Sequence, residues 1–225
     1  MAAAATRLAV SQVHKVIDGE PGFWAPDDGH GARFTDKPTS AGLPSYGLNR
    51  IEACLKYCKQ LRTAVDGGAY IGTWSVHLGQ HFKHVLAFEP VLANYECLVR
   101  NVSASPAVQA IRAALTDKSS PMTLAPSVKI PYTAFSGEVR YSSKTTKLFD
   151  GITIDSLGLK CLDLLKLDVE GFEYAALVGG CATVLQHRPV IMIEERAVDA
   201  RASKLLVSWG MHCAATFKRD KLFTW

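Results

Sequence analysis

The apolar residues of this chain fall into two recurring patterns. Short, nearly unbroken runs at 61–65, 84–88, 108–115, 162–169 and 189–193 read as strands, and LDLLKLDV at 162–169 is apolar enough for a strand buried on both faces. Between them, apolar residues recur at helical spacing. Leu48, Ile51, Leu55 and Cys58 mark a helix over 48–60, and Leu92, Tyr95, Leu98 and Val99 mark another over 91–102. Further helices are expected at 73–82, 172–187 and 198–209. Pro90 suits the first turn of the 91–102 helix, and Gly210 ends the last one. The runs at 211–217 and 221–225 flank Lys218-Arg219-Asp220 and read as an antiparallel hairpin. An edge strand is expected at 119–124, a brief strand at 151–154, and a short strand or helix within 8–16. Strand and helix alternating through the middle, closed by a hairpin, predict a three-layer α/β/α domain over 51–225.

Two stretches interrupt this rhythm. Residues 17–47 carry a glycine or proline every few positions, so no regular structure is expected there. The same stretch holds Phe23, Trp24, Phe34 and Tyr46, aromatics that a linker seldom carries. Residues 1–50 are therefore read as an extension packed on the domain, either covering a cofactor or substrate pocket or having no ligand role. Residues 127–147 are polar, with Lys129, Arg140, Lys144 and Lys147 interleaved with Tyr132, Phe135 and Tyr141. That composition fits a solvated loop, or a grip on a sugar or nucleotide.

Composition narrows the setting more than the chemistry. At 225 residues and 48% hydrophobic content the chain can bury one sizeable core, since single cores reach about 250 residues. A net charge of +4 permits an anionic substrate without requiring one. Six cysteines are scattered without a zinc-binding pattern, and as reduced thiols they predict a cytoplasmic protein. The N-terminus shows no basic segment before a long apolar stretch, and no apolar run reaches about 18 residues, so no export or membrane segment is expected.

The chemistry concentrates at VDGGAYIG. Gly67, Gly68 and Gly72 sit between a strand and a helix, where a tight turn lets backbone approach a ligand closely. The next strand ends in Glu89, about 20 residues on, where a carboxylate can accept both hydroxyls of a ribose. Asp66 ends the first strand; its charge would repel a dinucleotide pyrophosphate and attract the ammonium and sulfonium of S-adenosylmethionine. The dinucleotide spacing also fails on this segment, because Tyr70 and Ile71 fall out of pattern. Tyr70 and Pro90 complete the expected cofactor set, with Leu115 and Asp117 on the adenine side after the third strand. A second constellation comes from strands at 162–169 and 189–193, which end in Asp168, Glu170 and Glu194-Glu195 at one sheet edge. Asp168 is the first choice of general base, with Glu170 and Glu194 behind it; Glu170 and Glu173 also suit a helix N-terminus. Among the histidines, His30 in the glycine-rich stretch is the remaining alternative base. Asp168 and Glu194 lack an obvious third ligand, so no metal is expected.

In order, VDGGAYIGTWSVHL, HVLAFEPVLANYECLVRNV, ITIDSLGL, LLKLDVEGFEYAAL and RPVIMIEE resemble the FkbM family of S-adenosylmethionine-dependent methyltransferases. The resemblance runs from about residue 61 to 195 and takes in the closing hairpin, leaving out the first 50 or so residues. It implies a class I methyltransferase (Rossmann-like) fold, a seven-stranded, mostly parallel sheet with its last strand antiparallel. It also implies O-methylation of sugar or polyketide hydroxyls. Tyr70 departs from the asparagine that the family often has, and the motifs define no base. The expected function is thus O-methylation of a hydroxyl on a sugar or small metabolite. The alternatives are an RNA ribose 2′-O-methyltransferase, motivated by residues 127–147, and a binding module that keeps the fold without the chemistry. Nucleic acid is the less favoured partner.

Overall fold

The computed structural model describes residues 13–17, 22–27, 38–123, 148–195 and 199–225. In chain order these form β1 (Val13–Ile17), β2 (Phe23–Pro26), α1 (Leu48–Tyr57), β3 (Thr63–Gly67), α2 (Ser75–His81), β4 (His84–Phe88) and α3 (Leu92–Asn101). There follow β5 (Val108–Ile111), β6 (Ala113–Leu115), β7 (Ser120–Thr123), β8 (Leu148–Ile152), β9 (Leu164–Leu167), α4 (Glu173–Val178) and α5 (Cys181–His187). The chain ends with β10 (Val190–Glu194), α6 (Arg201–Ser208), β11 (His212–Phe217) and β12 (Asp220–Thr224).

Seven of these strands form one sheet in the order β11-β12-β10-β9-β3-β4-β5. β5, β4, β3, β9 and β10 run parallel, and β12 lies antiparallel to both β10 and β11. A parallel sheet needs cover on both faces, and the two faces of this one bury separate clusters. Ala64, Val85, Leu164 and Met192 pack towards α1 and α2 with Trp74 and Leu78, while Val65, Leu165, Leu167, Ile191 and Ile193 pack with Leu177 and Leu206 on the other face. Every residue of β3 and β9 is buried, the consequence of their central place. Among the described residues, no helix is long and apolar enough to cross a membrane.

Three departures from the hydrophobic pattern have identifiable causes. The stretch at 17–47, expected to be irregular, contains β2, which pairs antiparallel with β1. Phe23 and Ala25 alternate inward and are buried against Ile71, Cys97 and Leu98, and this burial holds the strand despite the neighbouring glycines. The pairing also fixes the 8–16 region as a strand where it is described. The run at 108–115 divides: β5 joins the edge of the main sheet, and after Arg112 the chain crosses to a separate three-stranded sheet ordered β6-β8-β7. That small sheet takes up the strands expected near 119–124 and 151–154, with β7 at its edge. The helix expected at 172–187 breaks into α4 and α5 at Gly179-Gly180. A Cβ on Gly179 would lie 2.1 Å from the Thr116 carbonyl oxygen, and the Gly179 carbonyl turns away to accept the Asp155 N–H at 2.9 Å. Asp155 in turn caps α5, accepting the N–H groups of Ala182 and Thr183. His30 and residues 127–147 lie outside the described residues.

Candidate active site

The glycine turn leaves β3 beside the end of β9. Gly68 has φ +73, and a Cβ there would lie 1.8 Å from the Asp168 carbonyl oxygen, so only glycine fits this crossing. A Cβ on Gly67 would meet Leu115 at 2.8 Å and Leu167 at 2.9 Å, which places the buried Leu115 against the turn. Tyr70 and Gly72 follow with φ of 53 and 90. The chain continues through turns, so that regular helix begins at Ser75 rather than at residue 73. The turn's N–H groups are ordered by the next strand, those of Gly68 and Ala69 both donating to the Phe88 carbonyl.

Glu89 stands at the end of β4 and faces this turn. Its buried carboxylate accepts the N–H of Tyr70 at 3.0 Å and of Val91 at 2.9 Å, with the Asn94 amide at 3.4 Å. Burial pushes the Glu89 carboxyl up to about 7 in spite of these donors. Pro90 makes the bend from β4 into α3 and is half-buried. Asp117 is exposed and accepts the Thr116 hydroxyl at 3.1 Å.

Asp66 lies differently from the sequence expectation. It is fully buried, it accepts the Ser75 hydroxyl at 2.7 Å, and its other oxygen lies 3.0 Å from the Lys166 ammonium. The charge that composition assigned to a ligand is met within the protein. Lys166 also donates to the carbonyl oxygens of Gly68 at 2.8 Å and Gly67 at 3.3 Å. Burial opposes its charge, yet Asp66 and Asp168 hold its pKa above the ordinary value, so it remains an ammonium.

Asp168, Glu170 and Glu194 converge at the C-terminal ends of β9 and β10, each offering a carboxylate oxygen within 4.8 Å of the others. Glu170 reaches this position through a left-handed bend. It has φ 53 and Gly171 has φ 100, and the N–H groups of Val169 and Gly171 are both accepted by the buried Glu173 carboxylate at 3.1 Å. Glu173 is therefore structural, whereas Glu170 points towards the acidic row. Burial raises Glu194 to about 8, reinforced by the negative charges of Asp168 and Glu170 and opposed by Arg219 at 3.2 Å. Glu195 faces away, bonded to Ser203 and Lys221. With Glu170 as the third oxygen donor, the row has the ligand set for a divalent cation that Asp168 and Glu194 alone lacked.

Two residues of the site carried no assigned role in the sequence. Tyr46, just before α1, is raised chiefly by burial and also feels the charge of Asp168; the Arg50 guanidinium lies 4.6 Å from its ring centre. Nothing in the glycine-rich stretch distinguished Tyr46 from its aromatic neighbours. Lys166 was detectable, because a lysine inside a continuous apolar strand is a buried charge that must have a partner.

The sheet order, the single antiparallel strand β12 and a glycine turn facing an acid at the end of the next strand define a class I methyltransferase. Residues 66–206 match the Methyltransferase FkbM domain, and the chain belongs to that family. It is 30% identical over 188 residues to Methyltransferase sdnD of Sordaria araneosa, covering 61% of this chain and 72% of that one. Methyltransferase FkbM from Methylobacillus flagellatus superposes with a TM-score of 0.51 at 19% identity, over 73% of this chain and 43% of that one. This chain thus spans less than half of that protein. The family's methyl donor is S-adenosylmethionine. The residues present fit it: Glu89 presents a buried carboxylate at the end of β4, facing the glycine turn, where ribose hydroxyls would be held.

Proposed function

We propose that this chain transfers a methyl group to a hydroxyl of a sugar or small metabolite. The observation that carries the reading is the acidic row, which begins at Asp168, the residue whose backbone Gly68 crosses. When bound, S-adenosylmethionine supplies an electrophilic methyl on a sulfonium. The protein's part is alignment and removal of a proton. Alignment of reacting groups is worth on the order of 7–11 kcal/mol, and a positioned base contributes about 100-fold to 10,000-fold.

Asp168, Glu170 and Glu194 together offer the acceptors for an alcohol's proton. Glu194, raised to about 8 chiefly by burial and further by the negative charges of Asp168 and Glu170, is a carboxylate basic enough for this task. An alcohol approaching the row donates its hydrogen bond to this carboxylate and loses the proton to it as it attacks. The same concentration of negative charge disfavours a polyphosphate backbone, so the RNA reading is the weaker one.

Incubation with methyl-labelled S-adenosylmethionine and a panel of glycans, small hydroxylated metabolites and RNA tests the proposal. A methyl ether on a sugar or metabolite is expected, with kcat/KM rising as pH increases through about 8 and this rise absent in Glu194→Gln. Label on nitrogen, carbon or RNA, or a Glu194→Gln rate equal to wild type, overturns it. Donor binding without transfer to any acceptor would instead favour the binding module.

A further inference from the structure

We propose that Lys166 is a positioning residue for the methyl donor: its ammonium ties Asp66 to the Gly67 and Gly68 carbonyls and so sets the donor's turn against the strand that carries Asp168. Lys166 lies directly across from Asp66 in the β3–β9 register. Asp168 is two residues further on, immediately after β9, and its N–H still donates to the Gly67 carbonyl of β3 at 3.1 Å. The short stretch 166–168 therefore touches the turn twice, through the Lys166 ammonium on the Gly68 oxygen at 2.8 Å and through the Asp168 carbonyl against the Gly68 α-carbon.

The ammonium donates to the carbonyl oxygens of Gly68 at 2.8 Å and Gly67 at 3.3 Å and forms an ion pair with Asp66 at 3.0 Å. The Trp74 ring, 5.9 Å away, closes the apolar side. Each contact falls on the segment that must hold its shape for the donor to bind. Stability alone does not account for the arrangement, since a buried ion pair replaced by apolar residues of similar volume is often neutral or stabilising. What an apolar pair cannot do is hold the Gly68 carbonyl oxygen in the turn; that of Gly67 also accepts the Asp168 N–H at 3.1 Å. With those oxygens drawn inward and the Gly68 and Ala69 N–H groups bonded to Phe88, the turn is held from both β9 and β4.

The test compares Lys166→Met, Asp66→Asn and the double variant, using calorimetric titration with S-adenosylmethionine alongside thermal unfolding of each protein. Lys166→Met strands the Asp66 charge and lowers stability, which by itself would not separate positioning from folding. The double variant removes both charges and regains stability. Positioning predicts that its donor affinity nevertheless stays at least tenfold below wild type, because the Gly68 carbonyl oxygen has lost the Lys166 donor, whereas that of Gly67 keeps the Asp168 N–H. If affinity returns together with stability, Lys166 serves only to neutralise Asp66 and the proposal is overturned. Wild-type affinity in Lys166→Met overturns it equally. The readout is donor binding, so the identity of the methyl acceptor does not enter.

Discussion

Replacing Gly68 by alanine probes the crossing of the donor turn over β9. An alanine at φ +73 carries the left-handed penalty, about 1–2 kcal/mol. Its Cβ would also lie 1.8 Å from the Asp168 carbonyl oxygen and 2.8 Å from the carbonyl carbon, both backbone atoms of the residue that follows the central strand β9. Overpacking of this kind adds about 1–3 kcal/mol. The loss expected is thus about 2–5 kcal/mol, against the roughly 5–15 kcal/mol that holds a domain folded. Gly158 supplies the control: its φ is +59, and an added Cβ there meets nothing within 4 Å. Gly158→Ala should therefore lose only about 1–2 kcal/mol, and urea unfolding of the two variants isolates the steric part. To restore even a 3.0 Å separation, Gly68 and Asp168 must move apart by more than about 1 Å, a displacement that can cost catalysis about 100-fold. Equal stability losses in Gly68→Ala and Gly158→Ala, or wild-type donor affinity in Gly68→Ala, would refute the reasoning.

Other residues give sharper readings of single interactions. Glu89→Gln keeps a carbonyl oxygen for one of the Tyr70 and Val91 N–H groups and turns its NH2 towards the other, leaving a buried donor unsatisfied at about 1–3 kcal/mol, so calorimetry should show donor binding weakened by about tenfold to 100-fold. Glu194, raised to about 8 from an ordinary 4.5, keeps a proton in the folded state that the unfolded chain releases. Stability should fall as pH rises from about 5 to 8, and thermal melts of Glu194→Gln should lose that slope. Burial would raise Asp163, but the Arg62 guanidinium and the N–H groups of Arg62 and Thr63 hold it below its ordinary value. Its contribution is therefore present above its unfolded pKa and lost as pH falls through the lower folded one. Asp163→Asn should cost about 1–2 kcal/mol at pH 7 after allowance for the half-exposed Arg62, and acid titration should show the difference from wild type shrinking at low pH. Asn101→Ala frees the Trp24 N–H and carbonyl and the Ile71 carbonyl from their shared partner, at about 1–3 kcal/mol, and hydrogen exchange should accelerate in β1 and β2.

The central strands were legible because burial on both faces leaves a continuous apolar signature, as in β9 and β10. Glu89 and the carboxylates at the strand ends were legible because parallel strands deliver their C-terminal residues to one edge. Three features escaped for reasons outside local pattern. The run at 108–115 is evenly apolar, and nothing in it marks Arg112 as the point where the chain changes sheets. The hairpin β1–β2 exists through burial of Phe23 and Ala25 on α3, a contact between residues some 75 apart in sequence, whereas its glycines and prolines argue locally for irregularity. The role of Asp66 depended on Lys166, and only the register between β3 and β9 sets the two side by side. The charge argument from Asp66 alone thus led to the correct donor through a residue whose charge the protein itself absorbs.

The small sheet β6-β8-β7 has a consequence for how such proteins diversify. Thr123 at the end of β7 is the cross-strand partner of Leu148 at the start of β8, so the two ends of the connection between these strands stand side by side. What lies between can lengthen, shorten or be exchanged at a closure cost that grows by only about 0.6 kcal/mol per doubling of length. β6 meanwhile packs Leu115 beside Gly67 of the turn and joins the same small sheet through the pairing of Leu115 with Ile152. The fold therefore offers a graft point next to the ligand site, where natural variation or an engineer can rewrite a whole segment while the donor-binding strands keep their register.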